Sequence, residues 1–141
     1  ALLSTLSSLF DEKYEELTGL LTPEMTAMEQ LLFLNRELFH MIEDSISLDL
    51  LARLYSTQLT TNGEKHLLDH NRIYYKLLRK IIAKGQAEGQ LSSRSNVNEM
   101  VKLYALCERA LLYDWCLCAG EYALTEYSAK VLPGFLSSFL P

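Results

Sequence analysis

The sequence lacks several features that mark common functional classes. It has no Gly-rich phosphate-binding loop, no nucleophilic serine motif, no segment with strand-period alternation and no apolar run long enough to span a bilayer. Positive charge is also in deficit, with 13 Lys and Arg against 18 Asp and Glu and a formal net charge of −5. That sign opposes binding to nucleic-acid phosphates, so we do not expect this chain alone to bind DNA or RNA.

Cysteine is scarce, and all three cysteines fall within one short stretch, at Cys107, Cys116 and Cys118. An odd number of cysteines in one helical segment favours a reduced, cytoplasmic setting over a disulfide scaffold, and we interpret them as small core residues. The chain opens with no signal-peptide pattern. Its 141 residues, 49% of them hydrophobic, predict one soluble domain over residues 1–141 with a single core and no membrane partner.

Apolar residues recur at helical spacing along nearly the whole chain, which predicts an all-α fold of about six helices. Thr22-Pro23 has the form of a helix start, Asn62-Gly63 of a helix end, and Ser95 or Asn96 of an N-cap. We expect Pro133-Gly134 to interrupt the last helix. The predicted helices cover about residues 2–20, 23–42, 47–59, 64–88, 97–119 and 125–140.

The segment 97–119 organises the rest of the chain because it carries two apolar faces on one helix. A helix of this kind must contact a second helix layer or a second subunit in addition to its own core. The narrower face contains a small residue that permits close approach of another helix. We interpret it as a subunit interface; the alternative is that the first helix covers it within the chain. The residues of this face are Leu106, Ala110, Tyr113 and Leu117.

Four polar residues, Asn35, Gln58, Asn71 and Glu108, interrupt the apolar stripes of four different helices. An unpaired buried amide or carboxylate costs a few kcal/mol, so each needs a partner. One interpretation is a ligand cavity with aromatic walls, in which Glu108 suits a cationic or hydrogen-bonding ligand. The alternative is a set of separate core groups paired with backbone, with each other or with an arginine. The predicted ligand-binding residues are Asn35, Tyr55, Gln58, Asn71, Tyr74, Tyr104, Glu108, Leu111 and Trp115.

His66 and His70 lie one helical turn apart, a spacing that can bind a metal ion. The sequence fixes no third ligand, and we prefer a solvated helix face as the explanation of the pair. We therefore predict no metal site and no enzyme activity, and keep a metal-dependent helical enzyme as an alternative function.

Three segments carry a resemblance to a known family. Residues 81–91, IIAKGQAEGQL, resemble a helix end of the form I..G...G.L. Residues 108–115, ERALLYDW, look like the pattern GLL..W, with Ala110 where glycine is common. Residues 127–139 match a closing apolar helix in placement and character. In their order, these parts are similar to the C-terminal regulatory domain of TetR-type transcriptional repressors.

The resemblance implies a homodimer in which the last two helices of each chain pair as a four-helix bundle. It also implies a small-molecule effector among the preceding helices and operator DNA bound by an N-terminal helix-turn-helix, which we expect to be missing from this chain. No cofactor is expected. The predicted interface residues are Leu106, Arg109, Ala110, Tyr113, Leu117, Val131, Phe135 and Phe139.

The expected function is therefore effector binding and dimerisation in a TetR-like repressor that senses a small apolar or cationic molecule. A helical protein-interaction domain without a ligand pocket is the alternative.

Overall fold

The chain is all-helical, as its sequence predicts. The computed structural model describes residues 2–63, 65–69 and 71–141, with side chains from residue 5 onward, and these residues form six α-helices and no strand. None of these helices is long and apolar enough to cross a membrane. The α-helices are α1 (Leu2–Leu20), α2 (Ala27–Ser45), α3 (Leu48–Thr60), α4 (Ile73–Ala87), α5 (Val97–Leu117) and α6 (Leu124–Phe135), and short 3₁₀ turns lie at His66–Leu68 and Ser137–Phe139.

The second helix begins later than the Thr22-Pro23 signal predicts, so that prediction is wrong. Its N-cap is Thr26, whose hydroxyl accepts a hydrogen bond from the Glu29 amide, while the Glu29 carboxylate accepts one from the Thr26 amide. This reciprocal capping box satisfies two backbone donors at once, whereas Thr22 only starts a turn closed by the Met25 amide. The spacing Thr-x-x-Glu was the sequence signal for the true start.

The fourth helix is shorter than predicted, because it starts at Ile73 and not near residue 64. Helical spacing continues through the preceding segment, but Asp69 accepts a hydrogen bond from the Asn71 amide at 2.9 Å, a local turn that competes with a helix. Asn71 consequently lies in a turn and is exposed. Its predicted place in the middle of a buried helical stripe is therefore wrong.

A glycine allows α4 to lie against the start of α2. A Cβ built on Gly85 would be 2.6 Å from the Ala27 Cβ and 2.8 Å from Leu91 side-chain atoms, closer than such atoms approach one another. Gly89 follows the helix with a φ of 75°, a left-handed conformation that favours glycine. Close packing and chain reversal therefore account for both glycines of the I..G...G.L pattern.

The last helix passes through Pro133 and ends two residues later, at Phe135. The 3₁₀ turn that follows brings Phe139 back into the core, where its exposed fraction is 1% and its carbonyl accepts a hydrogen bond from the Ser92 amide. Because the chain itself covers Phe139, its assignment to a subunit interface is wrong. The predicted interface treated Phe139 as part of a continuous last helix, whereas the helix ends at Phe135 and a 3₁₀ turn follows.

The helices pack so that α2 and α5 form the centre of the molecule. Helix α2 contacts α1, α4 and α6, while α5 contacts α3, α4 and α6. Glu43 of α2 fixes the start of α6 by accepting hydrogen bonds from the Leu124 and Thr125 amides, at 2.9 and 2.7 Å. Polar residues on the inner sides of α2 and α5 are therefore brought together inside the molecule.

Candidate functional site

A chain of hydrogen bonds crosses the core and joins four helices. The Asn35 Nδ2 donates to Oε2 of Glu108 at 2.9 Å, and the Tyr74 hydroxyl donates to Oε1 at 2.6 Å. On the other side, the Ser128 hydroxyl donates to Oδ1 of Asn35 at 2.7 Å. All four side chains are buried. Two of the four interrupting polar residues, Asn35 and Glu108, therefore partner each other, with help from α4 and α6.

Burial and hydrogen bonds act in opposite directions on the pKa of the Glu108 carboxyl group. Burial raises its pKa above the ordinary value, although hydrogen bonds from Tyr74 and Asn35 oppose that effect. The Tyr104 hydroxyl is also within hydrogen-bonding reach of Glu108, but it donates its own hydrogen to the Leu31 carbonyl at 2.6 Å. The Tyr104 contact likewise lowers the pKa of Glu108, whereas burial is the largest effect and sets the upward direction of the shift.

A cavity of about 60 Å³ lies beside Glu108. Aliphatic side chains from α2, α3 and α5 form much of its wall, and tyrosines from three helices supply hydroxyl groups. Apolar walls with a few convergent polar groups are typical of small-molecule sites. The volume suffices for a few water molecules and falls below the roughly 150 Å³ that admits benzene, so a larger ligand requires side chains to move. Its polar lining residues are Tyr14, Tyr55, Arg72, Tyr74, Tyr75, Glu108 and Arg109.

The structure places only part of the predicted ligand-binding set at this cavity. Tyr55, Tyr74 and Glu108 line it, while Asn35 and Tyr104 reach it through Glu108. These five residues form the part of the prediction that the fold brings together.

Four predicted ligand-binding residues lie elsewhere. Leu111 and Trp115 are buried but do not line the cavity, and the Trp115 indole donates to the Tyr122 carbonyl at 2.9 Å. Gln58 is buried and its side-chain oxygen accepts from the Leu67 amide at 3.0 Å, which holds the 3₁₀ turn against α3. Asn71 is exposed. The aromatic walls that we expected beside Glu108 therefore do not include Trp115.

Two important lining residues, Tyr14 and Arg72, were missed at the level of sequence. Tyr14 is buried on α1, and its ring centroid lies 5.1 Å from that of Tyr74. Its position four residues after Phe10 and three before Leu17 placed it on the apolar stripe of α1, which was the available signal. The Arg72 guanidinium lies 5.6 Å from the centroid of the Tyr74 ring.

Three buried side-chain atoms near the cavity have no hydrogen-bond partner among the described residues. They are Oδ1 of Asp11, Nε2 of His66 and Nε of Arg72. Burial and the charge of Arg72 lower the pKa of His66, while Asp11 raises it, so both charged groups lie close to the imidazole. Their chain neighbours Phe10 and Leu67 line the cavity. Each unpaired buried group costs about 1–3 kcal/mol, so a polar ligand group that forms hydrogen bonds with these atoms would stabilise the structure.

The second apolar face of α5 is exposed in the chain, so the first helix does not cover it. The exposed fractions are 50% for Leu106, 51% for Tyr113 and 70% for Leu117, and Phe135 of α6 is 49% exposed. Ala110 is exposed and Val131 is half-buried. Arg109 behaves differently, because it lines the cavity and donates to the Tyr75 hydroxyl at 3.1 Å. Exposed large apolar side chains on two helices that contact each other, as α5 and α6 do, are typical of a protein contact.

An outer groove of about 540 Å³ separates this face from α3. Its walls include Leu59 and Leu68, which are 71% and 51% exposed. Tyr55, Leu67 and Arg109 line both the outer groove and the cavity, so these three side chains form the partition between the two spaces.

No group of three potential metal ligands occurs in the part of the chain that the structure describes. His66 lies in the first 3₁₀ turn, and His70, its predicted neighbour on a helix face, is outside the described residues. The α-helix that would have aligned the two begins only at Ile73.

Comparison with protein-family models, with curated proteins and with solved structures finds no significant match to this chain.

Proposed function

We propose that this chain is the effector-binding and dimerisation domain of a TetR-like transcriptional repressor acting in the cytoplasm. In this proposal the chain forms a homodimer, binds a small and largely apolar molecule, and contacts operator DNA only through an N-terminal helix-turn-helix outside this sequence. The observation that carries the proposal is that one helix, α5, presents Glu108 to a cavity and an apolar surface to solvent.

The buried network supports the effector half of the proposal. Glu108 is held by Asn35 and Tyr74 in a core where an apolar residue would pack at lower cost. A hydrogen-bonded carboxyl group beside a cavity is able to recognise a ligand, and the aliphatic walls around it favour an apolar ligand body.

The exposed surface supports the dimerisation half. Leu106, Tyr113 and Leu117 lie on α5, and Phe135 lies on α6, a helix that contacts α5. Pairing two such surfaces about a two-fold axis would form a four-helix bundle and would remove four large apolar side chains per chain from water.

The two halves share α5, which gives a physical route for regulation. A ligand that binds one arrangement of the dimer more tightly than the other shifts the population toward that arrangement. The hydrogen bonds from Tyr74 of α4 through Glu108 and Asn35 to Ser128 of α6 connect the cavity to both interface helices. Ligand-driven movement at the cavity would thereby reach the subunit contact.

A thermal-shift screen followed by calorimetry tests this function. We expect at least one class of small apolar molecules to raise the melting temperature of the purified dimer, with affinity reduced in Glu108→Gln and Tyr74→Phe. Tyr127→Phe is the matched control, because it also removes a tyrosine hydroxyl but lies exposed on α6. If Glu108→Gln and Tyr74→Phe bind the molecule as tightly as wild type and Tyr127→Phe do, Glu108 has a purely structural role.

A helical protein-interaction domain is the second candidate, and the outer groove favours it. Leu59, Leu68 and Leu106 line the outer groove and are each at least half exposed. A helix of another protein could bury these residues without using the cavity. A monomer that binds no small molecule and exposes this groove would favour this candidate.

A further inference from the structure

Two arginines border the cavity without an acidic partner. Among the described residues, no carboxylate forms an ion pair with Arg72 or Arg109. The Arg72 guanidinium lies 5.9 Å from the centroid of the Tyr75 ring, and Nη1 of Arg109 lies 3.1 Å from the hydroxyl of the same ring. The two positive charges therefore flank one tyrosine at the cavity wall.

Both arginines act on the inside of the cavity. Burial raises the pKa of Tyr55, while the charges of Arg109 and Arg72 lower it, so both guanidinium groups are close to a hydroxyl that lines the cavity. Arg72 retains a buried Nε for which the described residues provide no hydrogen-bond partner. A guanidinium is the side chain best suited to bind a carboxylate through two parallel hydrogen bonds.

The charge balance of the lining favours an anion. Among the described residues that line the cavity, Arg72 and Arg109 are accompanied by a single acidic residue, Glu108. Two arginines against one glutamate leave the lining with an excess of positive charge even when Glu108 is ionised. This excess occurs in a chain whose formal net charge is −5.

We infer that the ligand of this cavity is a lipophilic carboxylate, held through its carboxylate by Arg72 and Arg109 and through its apolar body by the aliphatic walls. This inference rests on the proposed effector-binding function and specifies its ligand class. It replaces the cationic ligand that the sequence led us to expect.

The ligand body needs more room than the cavity provides. The cavity holds about 60 Å³, while the outer groove on the far side of Tyr55, Leu67 and Arg109 holds about 540 Å³. Displacing Tyr55 or Leu67 joins the two spaces, and Arg109 then lies at their junction. A carboxylate at this junction would leave the hydrocarbon body free to occupy either apolar space.

The test compares the affinities of compounds that share one hydrocarbon group and differ only in the polar group attached to it. Calorimetric titrations of the wild-type chain use three carboxylates, octanoate, benzoate and phenylacetate, each beside its amide and the corresponding amine. We expect at least one carboxylate to bind about tenfold or more tightly than its amide, because hydrogen bonds to a charged group are the stronger ones, and the amines to bind most weakly. An amide or amine that equals or exceeds its carboxylate in every series, or no binding by any carboxylate, overturns the inference.

Charge removal locates the binding site. Arg72→Gln and Arg109→Gln should each weaken the best carboxylate about tenfold or more and leave its amide nearly unchanged. Lys76→Gln is the matched control, because it removes one positive charge from the exposed side of α4. Equal loss in Lys76→Gln would show nonspecific attraction and overturn the assignment. The wild-type head-group series remains decisive if an arginine variant fails to fold.

The same experiment separates this inference from the function on which it rests. Saturable binding of an amide or an amine, weakened by Tyr74→Phe, would keep the effector-binding proposal and overturn the carboxylate. Absence of binding by all nine compounds, together with no hit in the thermal-shift screen, would overturn both.

Discussion

Oε2 of Glu108 accepts a hydrogen bond of 2.9 Å from the side-chain amide of Asn35, and no cationic side chain forms an ion pair with this carboxyl group among the described residues. The two residues are 73 positions apart in the chain. Their contact joins α2 to α5, and the further bonds to Ser128 and Tyr74 extend it to α6 and α4. A polar path thus runs from the cavity to the helices that carry the exposed apolar face.

The first prediction concerns the stability that this path provides. Asn35→Ala removes the hydrogen-bond partner of two buried atoms, Oε2 of Glu108 and the hydroxyl of Ser128, so it should lower the free energy of unfolding by about 2–4 kcal/mol. Urea denaturation measures the loss. The control is Arg36→Ala, which changes the next residue of α2, on its exposed side, and should cost under about 0.5 kcal/mol. A loss in Asn35→Ala no larger than in Arg36→Ala would contradict the network.

A second prediction follows from the raised pKa of Glu108. A carboxyl group whose folded-state pKa exceeds its unfolded value stabilises the fold fully below the unfolded value, and that stabilisation is lost as pH rises through the folded pKa. From the ordinary value of 4.5 upward, wild type should therefore lose stability relative to Glu108→Gln, by at most about 1.4 kcal/mol per pH unit.

Urea denaturation of both proteins at a series of pH values measures this difference, and groups common to both, such as Glu43, cancel in the comparison. A difference in unfolding free energy that stays constant with pH would mean that the pKa of Glu108 is not raised.

The third prediction concerns the contact between α4 and α2. Gly85→Ala places a Cβ 2.6 Å from that of Ala27, so the helices must separate, at a cost of about 1–3 kcal/mol. The matched control is Gly19→Ala near the end of α1, where nothing lies within 4 Å of an added Cβ. That change should be neutral or stabilise by up to about 1 kcal/mol, because alanine favours a helix. Thermal unfolding should give a lower melting temperature for Gly85→Ala than for Gly19→Ala. Equal melting temperatures would contradict the close packing.

The fourth prediction concerns the exposed face of α5. Leu117→Arg and Tyr113→Arg each place a charge on the surface that we propose to be buried in the dimer, so each should convert the dimer to a monomer. Leu20→Arg is the control, because Leu20 is 50% exposed on α1 and lies outside this face. Sedimentation velocity reports the subunit count. A dimer that persists in Leu117→Arg and Tyr113→Arg would remove this face from the proposal.

The helices were predictable because their apolar spacing is regular, whereas their boundaries depended on local bonds. Thr26 and Glu29 form the capping box at the start of α2, a pattern that the more conspicuous Thr22-Pro23 concealed. The segment before α4 keeps helical spacing, yet the side chain of Asp69 bonds the Asn71 backbone and holds a turn. Side-chain to backbone bonds of this kind override periodicity over a few residues.

The candidate site was predictable where a polar residue interrupts an apolar stripe, as Asn35 and Glu108 do. That they meet each other depends on how α2 and α5 cross, which helical spacing alone does not determine. Tyr14 and Arg72 were missed because tyrosine and arginine are amphipathic, so their place on a helix wheel leaves open which end of the side chain is buried. Phe139 was misassigned because the turn after Pro133 directs it inward.

Native mass spectrometry of the purified chain tests the central claim most directly, because it reports subunit count and retained small molecules together. The account predicts a dimer that carries a small molecule from the expression host, released by denaturation and identifiable by its mass as a carboxylic acid with an apolar body. An empty monomer would contradict both the interface on α5 and α6 and the cavity beside Glu108.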